Sequence, residues 1–427
     1  MKQNPRLLLF AVSILLTLAC LGAPQPTALP ASNSAVTPEF IPSATPQATA
    51  LPEPLGKLKI AYILDGNVWF WSEATSARQL TSDGDATRVK ISDDSEAIVY
   101  LRGQTRLWVI RVGDQSPQEL NTLGGYASYE MPPPPVHGMI LSIRQFDFQP
   151  RSHWVYFNTE WVKDKIILPS NDLHRVNVDD PKPEILTIEN GGNLTFSPDG
   201  NLIALSSLSA IHIYNPENAR FIRVLSYITN FTRLDYAPKI VWLSNGTGFY
   251  TVLLPADLAI RRSKYFFVSV VGTHRATLAE FECLPSEVNA PVISPDGLKV
   301  AYVKRTANTD ELHIIEASNA DTIIASYEGA PFFHVWGWSP DSKRVVFSNA
   351  HPMLLLTAGI GIPPSPSTEA ISPYSLRWID AEHLIFFREG NLLIGVINSP
   401  ETISIASGFS NQVDTQDYDF TIDSSPE

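Results

Sequence analysis

The turn Ser-Pro-Asp-Gly stands at 197–200 and again at 294–297, and Ser-Pro-Asp-Ser stands at 339–342. An apolar residue precedes each copy and an apolar strand follows, as in FSPDGNLIALSS at 196–207. Pro presets φ for the first corner, Asp bonds its own backbone nearby, and Gly accepts a left-handed φ. The flanking residues therefore form two antiparallel strands joined by a tight turn. A chain that repeats this unit builds one small module many times and stacks the copies.

With the frame set, weaker copies emerge. They begin at Ile91 (ISDDSEAIVY), Phe148 (FQPRSHWVYF), Trp242 (WLSNGTGFYT) and Trp378 (WIDAEHLIFF). Successive copies lie roughly 40–57 residues apart, and each is followed by further short strands. Four strands per unit at that period predict an all-β propeller of four-stranded blades. The first folded stretch, from Leu58, supplies a second strand, a third (Asn67 to Trp71) and an outer one (Arg78 to Thr81), with no inner strand ahead of it. The last, QDYDFTIDSSPE, reads as an inner strand with nothing after it. The two ends are thus expected to complete one blade together and close the ring, which removes its open edges. Counting strands gives eight blades; seven is the alternative if the first hairpin packs irregularly.

The repeat resembles that of TolB-type β-propellers and is similar to the propeller halves of prolyl-oligopeptidase-type enzymes. The residues that carry this are Ser197-Pro198-Asp199-Gly200, Ser294-Pro295-Asp296-Gly297, Ser339-Pro340-Asp341-Ser342 and Ser92-Asp93-Asp94-Ser95. TolB carries a folded α/β domain ahead of its propeller, where this chain has a Pro-rich stretch. The resemblance implies fold; function has to be argued from a site.

Three segments are expected: a signal peptide at 1–19, a lipid anchor and linker at 20–55, and the propeller at 56–427. Lys2 and Arg6 precede an apolar run from Leu7 to Leu18, and Thr17-Leu18-Ala19-Cys20 resembles a bacterial lipobox in which Cys20 would be lipidated. Thr17 stands where that pattern usually has Leu, and ordinary secretion is the alternative. The linker is rich in Pro, Ala, Ser and Thr with almost no charge, so it cannot bury a core. As a semi-extended spacer it reaches on the order of 100 Å when fully stretched. These features point to a monomer outside the cytoplasm, held on a membrane through its N-terminal lipid, in the periplasm or at the cell surface.

A net charge of −13, without basic stripes, argues against nucleic acid as a partner. No Gly-x-Ser-x-Gly elbow, P-loop, His-Glu-x-x-His or Cys-x-x-Cys is present. Accordingly no catalytic residue, cofactor or metal is assigned. Asp94, Asp199, Asp296 and Asp341 are read as turn caps, with Gly200 and Gly297 as turn residues. Asp83, Asp85, Asp93 and Asp94 lie close in sequence but lack the spacing of a calcium loop. Cys283, between Glu282 and Leu284, reads as a buried thiol. His334, Trp336 and Trp338 read as blade packing rather than a sugar platform.

Alternation along the inner strands supplies the site candidates, because neighbouring residues point to opposite faces. One face is apolar in copy after copy: Val89 and Ile91, Phe146 and Phe148, Leu194 and Phe196, Ile240 and Trp242, Trp336 and Trp338, Leu376 and Trp378, Tyr418 and Phe420. The other carries Arg88, Lys90, Gln145, Asp147, Asn193, Lys239, Ser375, Arg377, Asp417 and Asp419, which are expected to surround the central channel. A stiff Pro-rich insertion at 124–142 reads as a docking loop or a tolerated insertion, and GIPPSPST at 361–368 as a connector. The preferred function is a binding or scaffold protein that engages an envelope protein or an extracellular polymer. The alternative is a propeller enzyme of lyase or hydrolase type with its polar residues at the channel mouth.

Overall fold

The computed structural model describes residues 55–422 except 104, 115, 121–134, 136, 165, 188, 229–236, 256–261, 271–273, 284–289, 307, 329–332, 351–352, 369–375, 398, 400 and 410–414. Within them the regular structure is all strand, arranged as eight antiparallel sheets. Each sheet is one blade. Seven have four strands, and blade 3 has a fifth. The inner strands of blades 2 to 8 are Ala86–Ile91, Ile140–Phe148, Asn193–Phe196, Ile240–Trp242, Val292–Ile293, His334–Trp338 and Arg377–Trp378.

Blade 1 is built from both ends of the chain. Its inner strand, Tyr418–Ile422, pairs with Leu58–Leu64, and Ile60 lies opposite Phe420. The outer strand of this blade is Ser76–Gln79, two residues earlier than the sequence indicates. Apolar clusters then mark every junction in turn. Ala61 and Phe70 pack on Val89 and Ile98 between blades 1 and 2, and the series runs round to Ile60 and Tyr62 on Ile385 and Phe387 between blades 1 and 8. Eight clusters for eight junctions describe a closed ring.

The repeated turn shows why Ser and Asp recur. The Ser197 hydroxyl donates to Asp199 Oδ1 (2.6 Å) and accepts the Leu202 N–H (2.9 Å), while Asp199 Oδ1 also accepts the Asn201 N–H (3.1 Å). Ser294 with Asp296, Ser339 with Asp341 and Ser92 with Asp94 repeat the same three bonds. Each buried serine thus satisfies backbone groups that the tight turn would otherwise strand. Gly297 is required twice over: its φ is +70°, and an added Cβ would stand 2.0 Å from the Tyr250 ring.

Two expectations need correction. Residues Ile362–Thr368 are the outer strand of blade 7, not a connector. Proline is tolerated there because an outer strand has one edge that needs no N–H donors. Trp336 does not share the face of Trp338. A bulge between Val335 and Gly337 turns it onto Leu384 and Phe386 of blade 8, whereas Trp338 packs with blade 6. Cys20, residues 1–54, most of the insertion at 124–142, and Ser375 fall outside the described residues.

Candidate functional site

Inner strands bring polar residues from several blades to one cavity of about 770 Å³. Its lining includes Arg88, Lys90, Gln145, Asp147, Asn193 and Lys239, six of the residues that alternation assigns to the channel. A neighbouring cavity of about 370 Å³ shares Arg88 and Lys90 and adds Arg377. Among the lining residues, Asn193 begins its strand and Lys239 precedes its own, so the Ser-x-Asp turns, at the strand ends, occupy the opposite rim.

Asp417 and Asp419 line neither cavity. Asp419 is buried, where it accepts the Ile91 N–H (3.1 Å) and pairs with Arg377 (2.7 Å). The Asp417 carbonyl accepts the Ile63 N–H at 2.8 Å, and Gln416 lines both cavities instead.

Arg144, Glu160 and Ile167 also line the larger cavity, although strict alternation does not select them. Glu160 and Ile167 lie on neighbouring strands of blade 3, Trp154–Lys163 and Ile166–Pro169, and Arg144 is brought in by one of two inner-strand bulges. Arg88, with φ 51°, is the extra residue where the register shifts between Thr87 and Val89, and Arg144 is the extra residue between Ile143 and Gln145. A bulge re-aims side chains at a barrel or propeller rim. A charged residue falling on the apolar parity of Ile140–Phe148 was the available signal.

The cations are held in place by protein partners. Arg88 donates to the carbonyls of Ile143 (3.0 Å) and Arg144 (2.5 Å) and lies over the Phe146 ring. Arg144 reaches Glu160 (3.5 Å) and donates to Asn193 Oδ1. Gln145 bridges blades by exchanging two 3.0 Å bonds with the backbone of Leu194. Lys90 pairs with Asp147 at 3.4 Å. Burial pulls the Lys90 pKa down, but the charges of Asp147 and Asp419 outweigh it and hold the ammonium above the ordinary lysine range. Burial, helped by Asp419, lifts Asp147 above the usual carboxylate range despite Lys90. Lys239 is exposed at the rim.

Four cations and two carboxylates line the larger cavity, a net charge of +2 inside a chain of formal charge −13. Low-dielectric walls focus such a field toward the opening. The volume lies within the range of about 300–1,000 Å³ typical of ligand pockets.

Other candidates resolve differently. Asp83 and Asp85 pair with Arg102, Asp93 accepts the Arg151 N–H, and Asp94 is shared by Ser92 and His153, so the four aspartates do not converge. Cys283 is buried against Ser263 Oγ (3.0 Å), and burial pushes its thiol up to about 11. His334 stacks on Trp336 with centroids 4.1 Å apart.

Eight blades closed by the two ends of the chain, around a polar mouth, define a β-propeller. No family model matches the chain, and no curated protein matches it. Solved structures do resemble it. Dipeptidyl peptidase 4 of Porphyromonas gingivalis is 11% identical over 80% of this chain and 56% of its own, with a TM-score of 0.53. The Dos1 propeller is 11% identical over 77% and 85%, at 0.50. TolB of Acinetobacter baumannii is 14% identical over 61% of each chain, at 0.33. These likenesses concern the fold alone.

Proposed function

We propose that the chain is an extracytoplasmic binding propeller, tethered through Cys20, that holds an acidic segment of another envelope protein at its channel mouth. The observation that carries this reading is the cationic cavity in an acidic chain. A cavity of that size admits a chain segment rather than a folded body. The single aromatic residue among its described lining residues, Phe146, is itself buried, so no ring is offered for sugar stacking. Charge and aliphatic surface at the same opening suit a peptide better than a polysaccharide.

The test is crosslinking in intact cells of the native organism, comparing the wild type with Lys239→Glu, a reversal at an exposed rim position. A partner retained by the wild type, released at high salt and lost in the variant supports the reading. A partner held equally by both proteins contradicts it. Incorporation of labelled palmitate that disappears in Cys20→Ala tests the tether separately.

A further inference from the structure

We propose that the ion pair of Asp147 with Lys90 is an acid-operated switch on the cavity: a proton taken up by Asp147 releases Lys90 to the bound acidic segment and tightens its grip. The proposal rests on the binding reading above and adds the regulation of that site.

The cations of the cavity differ in what holds them. Arg88 is held by the carbonyls of Ile143 and Arg144, groups that do not titrate. Lys90 is held by a carboxylate, its Nζ lying 3.4 Å from Asp147 Oδ2. Both side chains line the cavity and remain partly exposed, 29% for Lys90 and 41% for Asp147. A ligand carboxylate approaching Lys90 therefore meets Asp147 beside it. While Asp147 is ionised, the two acids compete for one ammonium and repel each other. A proton from solvent on Asp147 ends both effects, and Lys90 stays an ammonium. The lining then holds four cations against one remaining carboxylate, a net charge of +3 in place of +2.

The surroundings of Asp147 favour that proton. Burial is the strongest influence on it and disfavours the charge; Lys90 opposes burial, and Asp419 adds to it. Asp419 comes from the closing strand Tyr418–Ile422 and is paired with Arg377 at 2.7 Å. The Phe148 N–H donates to Asp147 Oδ1 (3.0 Å), which leaves Oδ2, the oxygen beside Lys90, as the place for the proton. Tyr156, opposite Asp147 in register, presents its hydroxyl to Arg175 (3.4 Å). The other charged groups of the lining are Arg88, Lys239 and the pair of Arg144 with Glu160 at 3.5 Å. Among the described residues no histidine lines either cavity, so no imidazole supplies a response in the mildly acid range. Proton and acidic ligand thus promote each other, each raising the affinity for the other by the same factor.

The experiment is fluorescence anisotropy with a labelled peptide of alternating cysteic acid and serine, whose sulfonates stay ionised throughout. It is titrated at constant ionic strength from pH 7.5 down to about pH 5, above the range where ordinary carboxylates take up protons. The proteins are the wild type, Asp147→Asn and Lys90→Gln, each checked for native circular dichroism at every pH. Wild-type affinity is expected to rise about tenfold as pH falls, the scale of one unit charge added nearby in a partly solvated cavity. Asp147→Asn should bind at pH 7.5 as tightly as the wild type does at the acid end, with no further rise. Lys90→Gln removes the charge that opposes the proton, so its rise should come at higher pH than in the wild type. A wild-type affinity unchanged by pH, a response that survives in Asp147→Asn, or a rise in Lys90→Gln at the wild-type pH overturns the switch and leaves the binding reading standing. Absence of saturable binding at every pH overturns the binding reading and the switch together.

Discussion

The indole N–H of Trp338 in blade 7 donates to the carbonyl of Val292 in blade 6, across 2.9 Å. Trp242 in blade 5 makes the equivalent bond to Thr195 in blade 4 at 3.1 Å. These two tryptophans ahead of the repeated turn therefore do more than fill space: each ties its inner strand to the one before, whereas the Trp378 indole N–H finds no partner among the described residues. Trp338→Phe keeps most of the ring but removes that bond, and a loss of about 1 kcal/mol is expected in urea unfolding. An unchanged midpoint would show that the bond contributes nothing.

Turn chemistry makes two opposite expectations. Ser95 occupies a left-handed φ of 64° and is buried, with no hydrogen-bond partner for its hydroxyl among the described residues. Ser95→Gly relieves both conditions and is expected to stabilise by about 1 kcal/mol. Gly297→Ala introduces a left-handed alanine against Tyr250 and should cost about 2–3 kcal/mol. Thermal unfolding of the two variants decides both, and a shift of the same sign in each would refute the argument.

His153 joins two blade elements, with Nε2 2.9 Å from Asp94 and Nδ1 2.9 Å from Asp179. Burial alone would lower its pKa, but bonds to the two carboxylates outweigh burial and raise it. A raised histidine pKa adds stability that is complete below its unfolded value near 6.5 and is lost as pH rises through the folded value. Asp94 and Asp179 are each raised by burial but lowered further by their partners, so their share is lost only as strongly acid pH is approached. Stability measured from pH 6 upward should therefore fall more steeply in the wild type than in His153→Gln. Parallel profiles would remove the tie from the account.

Closure of the ring rests on Tyr418, fully buried between blades 1 and 8. Tyr418→Ala is expected to cost about 3–5 kcal/mol, as for other large aromatic truncations. Removing the chain from residue 415 onward strips the inner strand from blade 1 and exposes Ile60 and Tyr62. That form should aggregate or unfold in size-exclusion chromatography, and a monodisperse truncated protein would contradict closure.

Much of the fold was legible because the repeated turn has a strong local signature and the two chain ends are complementary halves of one unit. Lys90, Gln145, Asp147 and Asn193 reached the cavity as alternation requires. Arg144 escaped it because one extra residue in Ile140–Phe148 shifts parity, and bulges leave little trace in composition. Trp336 was misplaced for the same reason. Asp419 illustrates another limit. Alternation gave its side of the strand but not its depth, and it lies beneath Arg377 rather than in the opening. The strand at Ile362–Thr368 was hidden by prolines that only an outer edge tolerates.

The most direct test of the account is site-specific photocrosslinking in intact cells, with the reactive side chain placed at Gln416 in the mouth or at Lys343 beside the opposite-rim turn. The account expects a discrete protein adduct from Gln416, diminished by Lys239→Glu, and none from Lys343. An adduct from Lys343 alone, or the same adduct from both positions, would contradict recognition at the cationic mouth.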